Sequence, residues 1–148
     1  DFIVMDFGAL YKGYHADMTR TIVVGEASDK HKEIYNIVLE SQLAGIAYGK
    51  SGVKCSDLDK ACRDVIDSKG YGELFMHGTG HGLGLEVHTL PRISSVNHAP
   101  LEENNVITIE PGIYIAGWGG VRIEDDCLIL KDSCSPMNKS TKDLVVVG

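Results

Sequence analysis

The segment HGTGHGLGLEVH, residues 77–88, restricts the fold of this chain more than any other stretch. Glycine occupies every second position from Gly78 to Gly84. Each glycine inside a helix costs about 1 kcal/mol relative to alanine, so a helix would be very costly here. The segment also lacks the glutamate of a zinc-protease helix, and its glycine spacing does not match the dinucleotide-binding pattern. We therefore predict a flexible loop that presents His77, His81 and His88.

The whole chain has the length and composition of one soluble domain, with 148 residues. Its formal net charge of −7 argues against nucleic acid or an anionic membrane as the main partner. No apolar run approaches the roughly 20 residues of a membrane helix, and no signal segment opens the chain. Its four cysteines lack the spacing of a metal or disulfide motif, so we predict reduced thiols in a cytoplasmic protein.

The order of apolar patterns predicts an α+β domain in which strands precede and follow a pair of helices. Ser28 and Ser56 are the predicted N-caps of the two helices. The predicted elements are two strands within 2–24 joined by a glycine-containing connection, helices over 28–49 and 55–72, strands over 104–115 and 119–130, and a last strand near 142–147.

Acidic residues occur in two matching frames, each an acid, two glycines and a second acid. The first frame runs from Asp6 to Asp17 and the second from Glu110 to Glu124. The intervals of eleven and fourteen residues suit two hairpins of slightly different length. This weak internal repeat predicts two related hairpins that direct four carboxylates at a shared centre.

Four carboxylates on apolar strands need compensating charge, because an unpaired buried carboxylate is very costly. Arg122 lies on the same strand face as Glu124, but one cation cannot balance four acids. Two divalent cations carry the required charge. His81 then supplies a nitrogen ligand, and the neighbouring glycines let the backbone approach the metals. His77 and His88 are left for contacts with the substrate or with the ligands.

Four motifs together resemble the signatures of the pita-bread metallopeptidases, and most closely their Xaa-Pro branch, which contains prolidase and aminopeptidase P. The motifs are MDFGALYKGYHADMTRT, HGTGHGLGLEVH, ITIEPGIY and GVRIEDD. The resemblance extends from about Asp1 to Val147. It implies the pita-bread (creatinase/aminopeptidase) fold, in which a mixed, mostly antiparallel sheet carries helices on one face.

The resemblance also implies roles for individual residues. Asp17 corresponds to the aspartate that chelates one metal and bridges to the other, and His88 to the histidine that contacts the substrate carbonyl. His77 and Arg122 correspond to further active-site positions of the Xaa-Pro branch. The implied metal ligands are Asp6, Asp17, His81, Glu110 and Glu124.

The implied activity is hydrolysis of the bond between an N-terminal residue and proline by a hydroxide that bridges two metals. Glu110 is expected to move the proton to the leaving nitrogen, with Arg122 orienting Glu124 or a nearby acid. The oxygen-rich ligand set favours Mn²⁺, with Co²⁺ or Zn²⁺ as substitutes. The expected partners are an Xaa-Pro peptide and a second copy in a homodimer.

The resemblance further implies that residues 1–148 are a single catalytic domain that lacks the upstream half-repeat of the family and the N-terminal domain before it. The chain opens on the strand-like DFIVMDFG without Met, which agrees with that expectation. Three alternatives stay open: a methionine-aminopeptidase-like exopeptidase with the same ligands, a metal-free creatinase-like hydrolase, and a non-catalytic peptide-binding module. Cleavage of Met-Ala peptides would identify the first of these.

Overall fold

A computed structural model describes all residues, 1–148, as twelve strands, two α-helices and one short 3-10 turn. The elements are β1 Phe2–Phe7, β2 Leu10–Tyr11, β3 Tyr14–His15, β4 Met18–Val24, α1 Asp29–Tyr48, α2 Cys55–Ser68, the 3-10 turn Gly72–Leu74, β5 Gly80–Gly82, β6 Thr89–Ile93, β7 Val106–Ile109, β8 Gly112–Ile115, β9 Gly119–Arg122, β10 Asp125–Ile129, β11 Cys134–Pro136 and β12 Val145–Val147. The predicted α+β class and the order of strands, helices and strands are confirmed.

The strands form two larger sheets and two short ribbons. One sheet has the order β1-β4-β12, in which β12 runs parallel to β4, and the other has the antiparallel order β11-β10-β7-β5-β6. The ribbons pair β2 with β3 and β8 with β9. The predicted last strand is therefore present, as the parallel edge strand β12.

The two acidic frames fold into similar hairpins. In the first, the long pair β1–β4 encloses the ribbon β2–β3; in the second, β7–β10 encloses β8–β9. The acids lie where the long strands give way to the ribbons. The predicted continuous strands 104–115 and 119–130 are wrong in this respect, because each breaks in two. Pro111 lies at the first break, where a residue without an N–H cannot continue a ladder.

The two helices pack against each other and on the sheets, and their apolar sides build the core. Ser28 caps α1 as predicted, accepting a hydrogen bond from the backbone nitrogen of His31. The predicted cap Ser56 is wrong: α2 begins at Cys55 after Lys54, which makes no side-chain cap bond. All four cysteines are buried and free. Neither helix combines the length and the apolar character that a membrane crossing requires.

The glycine-rich segment contains strand β5, which lies between β6 and β7 in the five-stranded sheet. The prediction of a loop throughout this segment is therefore wrong. Glycine is required because a Cβ on Gly80 would lie 2.0 Å from the carbonyl oxygen of Thr108, and one on Gly82 would lie 2.1 Å from that of Leu90. The alternating glycines thus allow three backbones to approach closely around His81.

Candidate metal centre

The five predicted ligands meet in one cluster at the point where the two hairpins face each other. Three overlapping groups have ligand atoms within 4.8 Å of one another. They are Asp6, Asp17 and Glu124; His81, Glu110 and Glu124; and Asp17, His81 and His88. Asp17, His81 and Glu124 each belong to two of these groups, so they link the three groups into one cluster.

Buried threonine hydroxyls fix the two glutamates. Thr19, two residues after Asp17, donates to Oε2 of Glu124 at 2.5 Å. Thr108 donates to Oε1 of Glu110 at 3.0 Å and accepts the backbone N–H of His81 at the same distance. The hydroxyl of Thr108 therefore joins strands β5 and β7 at the level of the cluster.

The ring of His81 has a defined orientation. Its Nδ1 lies 3.0 Å from the carbonyl oxygen of Gly82, which can only accept, so Nδ1 carries the proton. Nε2 then points into the cluster, 3.2 Å from Oε1 of Glu110 and 3.8 Å from Oδ2 of Asp17. Burial lowers the pKa of His81, but the bonds to Glu110 and to Gly82 outweigh it and raise the pKa overall.

The carboxylates oppose one another electrostatically. Burial, followed by repulsion from Glu110, raises the pKa of Glu124 to about 8. Burial and the charge of Asp6 also raise the pKa of Asp17. Buried oxygen donors that repel one another at this range, together with a correctly oriented imidazole nitrogen, fit a multivalent cation. The donor set is therefore chemically suited to a divalent metal ion.

Arg122 pairs with Asp6 rather than with Glu124. Its Nη2 donates to Oδ2 of Asp6, its Nε to the hydroxyl of Thr19 at 3.1 Å, and its Nη1 to the hydroxyl of Tyr114 at 3.0 Å. The same hydroxyl lies 3.0 Å from Nε2 of His77. Tyr114 thus links two predicted active-site residues, although the sequence reasoning missed it. Its position, four residues after Glu110 in an alternating segment, is the signal that could have indicated it.

A second hydrogen-bond network, which the sequence reasoning also missed, holds the backbone of two candidate ligands, Asp17 and Glu124. Both carboxylate oxygens of Asp126 accept the backbone N–H of Asp17, the shorter bond being 3.1 Å. Arg20 donates to the carbonyl oxygen of Glu124 and forms a buried ion pair of 2.7 Å with Asp125. These residues fix the main chain on either side of the hairpin junction.

Two cavities flank the cluster and share Asp6 and His88 in their walls. One, of about 420 Å³, is polar and is lined by His77, Arg92 and Arg122 among others. The other, of about 480 Å³, has an apolar wall that includes Phe7, Leu10 and Val87. The exposed His88 stands between them, its ring centroid 4.4 Å from that of His81. Arg92 was not singled out from the sequence, because nothing in its local pattern separates it from a surface arginine.

Comparison with known proteins identifies the family of this chain. Metallopeptidase family M24 matches residues 1–131. The Xaa-Pro dipeptidase of Pyrococcus horikoshii is 50% identical over 145 residues, which are 98% of this chain and 41% of that protein. The chain thus spans about two fifths of the length of the curated relatives that it matches.

Solved structures show the same fold. The Xaa-Pro dipeptidase from Bacillus anthracis superposes with a TM-score of 0.97 at 52% identity, covering 99% of this chain and 41% of that one. The X-Pro aminopeptidase from Thermotoga maritima superposes with a TM-score of 0.97 at 48% identity, covering 99% and 42%. The resemblance inferred from the motifs is confirmed: the chain has the pita-bread fold and belongs to metallopeptidase family M24.

Proposed function

We propose that this chain carries the metal centre of an exopeptidase that hydrolyses the bond between an N-terminal residue and proline. The observation that carries the proposal is the convergence of five ligand-type side chains, in overlapping groups, between two cavities. The names of the most similar relatives, Xaa-Pro dipeptidase and X-Pro aminopeptidase, support this substrate class. A cytoplasmic homodimer, completed by an upstream half-repeat and an N-terminal domain, is the setting that the sequence predicts.

The grouping of donors supports two cation positions. Asp6, Asp17 and Glu124 would hold one cation, while His81, Glu110 and Glu124 would hold the other. An oxygen-rich set with one imidazole and no thiolate favours Mn²⁺, with Co²⁺ or Zn²⁺ as substitutes. When bound, such cations polarise a carbonyl and activate water near neutral pH.

Residues around the cluster perform the remaining steps. Glu110, held by Thr108, accepts the proton of the attacking water and delivers it to the proline nitrogen as that nitrogen leaves. His88 donates a hydrogen bond to the carbonyl oxygen as negative charge develops there, which its exposed position beside His81 allows. Arg122 and Tyr114 keep the carboxylate of Asp6 in place.

The two cavities supply a place for each end of a short peptide. The apolar cavity suits the side chain of the N-terminal residue, and the polar cavity suits proline and its carboxylate. Arg92 lines the polar cavity and forms no ion pair, whereas Arg122 is committed to Asp6. Arg92 is therefore our candidate for binding the carboxylate of a dipeptide.

The test measures hydrolysis by this protein of Ala-Pro and of a longer peptide that begins with Ala-Pro, each with and without Mn²⁺. The P. horikoshii dipeptidase serves as positive control. Cleavage of Ala-Pro, with a raised KM in Arg92→Ala, is the expected result. Preferential cleavage of the longer peptide would instead indicate an aminopeptidase with an open groove. If Mn²⁺ left both peptides intact while Met-Ala was cleaved, the Xaa-Pro assignment would be wrong.

A further inference from the structure

The segment DLDKACRD of helix α2 supplies no ligand to the cluster, yet it holds the residues that lead into strand β5. Asp59 is fully buried. Its Oδ1 accepts hydrogen bonds from the backbone nitrogen of Thr79 at 2.9 Å and from the Thr79 hydroxyl at 2.8 Å. Its Oδ2 accepts from Nε of Arg63 at 2.7 Å. Both oxygens of this buried carboxylate are therefore engaged, as a buried charge requires.

Arg63 holds the residues before Thr79 by further hydrogen bonds. Its Nη1 donates to the carbonyl oxygen of Phe75 at 2.8 Å, and its Nη2 donates to the carbonyl oxygen of His77. Its guanidinium also lies over the ring of Phe75, 4.2 Å from the centroid. One ion pair on α2 thus fixes the segment 75–79 at three of its residues.

Thr79 connects the ion pair of Asp59 and Arg63 to the cluster. Its carbonyl oxygen accepts the backbone N–H of Glu110 at 2.8 Å, and His81 follows two residues later. The backbone of Thr79 therefore sets the spacing between strand β5, which carries His81, and Glu110, which directly follows strand β7; the two side chains meet at 3.2 Å. A displaced Thr79 would move both candidate ligands relative to each other.

We propose that Asp59, supported by Arg63, is a positioning residue of the metal centre: it holds Thr79 so that His81 and Glu110 present their donor atoms to one cation. This inference rests on the proposed function, because it assigns a task within the same site. It gives a role to the fully buried carboxylate of Asp59 on a helix that supplies no ligand to the cluster.

The decisive variant is Asp59→Asn, which keeps the size of the side chain but turns an amide N–H₂ toward Arg63. Removing a direct hydrogen-bond partner of a metal ligand typically costs 10–100-fold in metal affinity or activity. Asp59 acts through Thr79, one contact further out, so we expect an Mn²⁺ affinity about 10-fold lower by titration calorimetry. The kcat for Ala-Pro should fall more than KM rises, since the contacts to the substrate are untouched.

Two variants on the same helix serve as controls. Asp64→Asn removes an exposed partner of Lys60 and should leave Mn²⁺ affinity at the wild-type level. Ile66→Val removes a methylene from a fully buried side chain, so it lowers stability without touching the ion pair. If Ile66→Val weakened Mn²⁺ binding as much as Asp59→Asn, the effect would be one of general stability and the positioning role would be wrong.

Thr79 provides a second route should Asp59→Asn fail to fold. Thr79→Val removes only the hydroxyl donor and should weaken Mn²⁺ binding, whereas Thr79→Ser restores the hydroxyl and should restore affinity. Unchanged affinity in Thr79→Val, together with unchanged affinity in Asp59→Asn where that variant folds, would overturn the proposal.

Amide hydrogen exchange at Glu110 separates the two proposals, because it needs no metal. We expect faster exchange of the Glu110 N–H in Asp59→Asn than in Asp64→Asn. If the wild-type chain bound no Mn²⁺ but the Glu110 N–H still exchanged faster in Asp59→Asn than in Asp64→Asn, the proposed function would fail and the structural part of the inference would stand. If exchange and Mn²⁺ affinity were both unchanged in Asp59→Asn, Asp59 would have no positioning role.

Discussion

At the scale of single residues, the cluster combines firm orientation with uncompensated charge. Thr19 and Thr108 are fully buried, and their hydroxyls fix Glu124 and Glu110. A hydrogen bond to a charged group contributes about 1.5–3 kcal/mol, but a hydroxyl adds no positive charge. Burial and the neighbouring carboxylate therefore still raise the pKa of Glu124 to about 8. Cations can supply the charge that these hydroxyls cannot.

Asp17 is a donor whose loss should disable the cluster. It belongs to two of the three donor groups, so Asp17→Ala removes a ligand from the proposed cation position formed with Asp6 and Glu124, and it removes a carboxylate that faces His81 of the other position. We expect Mn²⁺ binding and Ala-Pro hydrolysis to disappear together, measured by calorimetry and by release of proline. A folded Asp17→Ala protein with full activity would rule out the two-cation centre.

His88 should behave differently, since it is exposed and its proposed partner is the substrate. We expect His88→Ala to bind Mn²⁺ with wild-type affinity while its kcat for Ala-Pro falls by roughly 10²–10³-fold, as for one lost oxyanion donor. Calorimetry and steady-state kinetics on the same preparation check both halves of this prediction. A collapse of Mn²⁺ affinity would instead identify His88 as a ligand, which its distance from Asp17 and His81 permits.

At the scale of elements, the sequence predicted the hairpins that repeated residue patterns indicate. It missed the features that depend on contacts with neighbouring strands. The matching frames around Asp6 and Glu110 predicted two related hairpins, because two acid-and-glycine frames indicate two turns of one kind. Strand β5 could not be predicted, since alternating glycines give no apolar pattern and the strand exists through its pairing with β6 and β7. The partner of Arg122 was equally hidden, because Asp6 lies on another sheet.

Strand β5 also gives a matched pair of substitutions. Gly80→Ala would place a Cβ 2.0 Å from the Thr108 carbonyl oxygen, whereas a Cβ on Gly84 would meet no atom within 4 Å. Overpacking of this kind costs about 1–3 kcal/mol, so we expect Gly80→Ala to lower the midpoint of thermal unfolding by several degrees. Gly84→Ala should melt like the wild type. Equal midpoints for the two variants would mean that β5 does not pack as described.

At the scale of the whole molecule, the core contains a reactive side chain, the thiol of Cys62, that is fully buried from solvent. Burial raises the pKa of Cys62 to about 12, so its reactive thiolate is scarce at ordinary pH. We expect iodoacetamide at pH 8 to label Cys62 only after urea unfolding, as followed by peptide mass spectrometry. Raising the pH from about 7 to 9 should speed labelling of the unfolded chain, whose thiol has a pKa near 8.5, whereas native Cys62 should stay unlabelled at both pH values because it is buried away from the reagent. Rapid labelling of native Cys62 would show that the core opens locally.

The four candidate carboxylate ligands lie on two hairpins that are far apart in the sequence, and this separation has a kinetic consequence. Asp6 and Glu124 are far apart along the chain, so the donor cluster is complete only after long-range loop closure. A cation that needs the finished cluster stabilises the native state but not the folding transition state. Mn²⁺ should therefore slow unfolding in urea while leaving the refolding rate unchanged, which stopped-flow fluorescence of Trp118 can measure. The metal would then stabilise a fold that has already formed, and it would not nucleate folding.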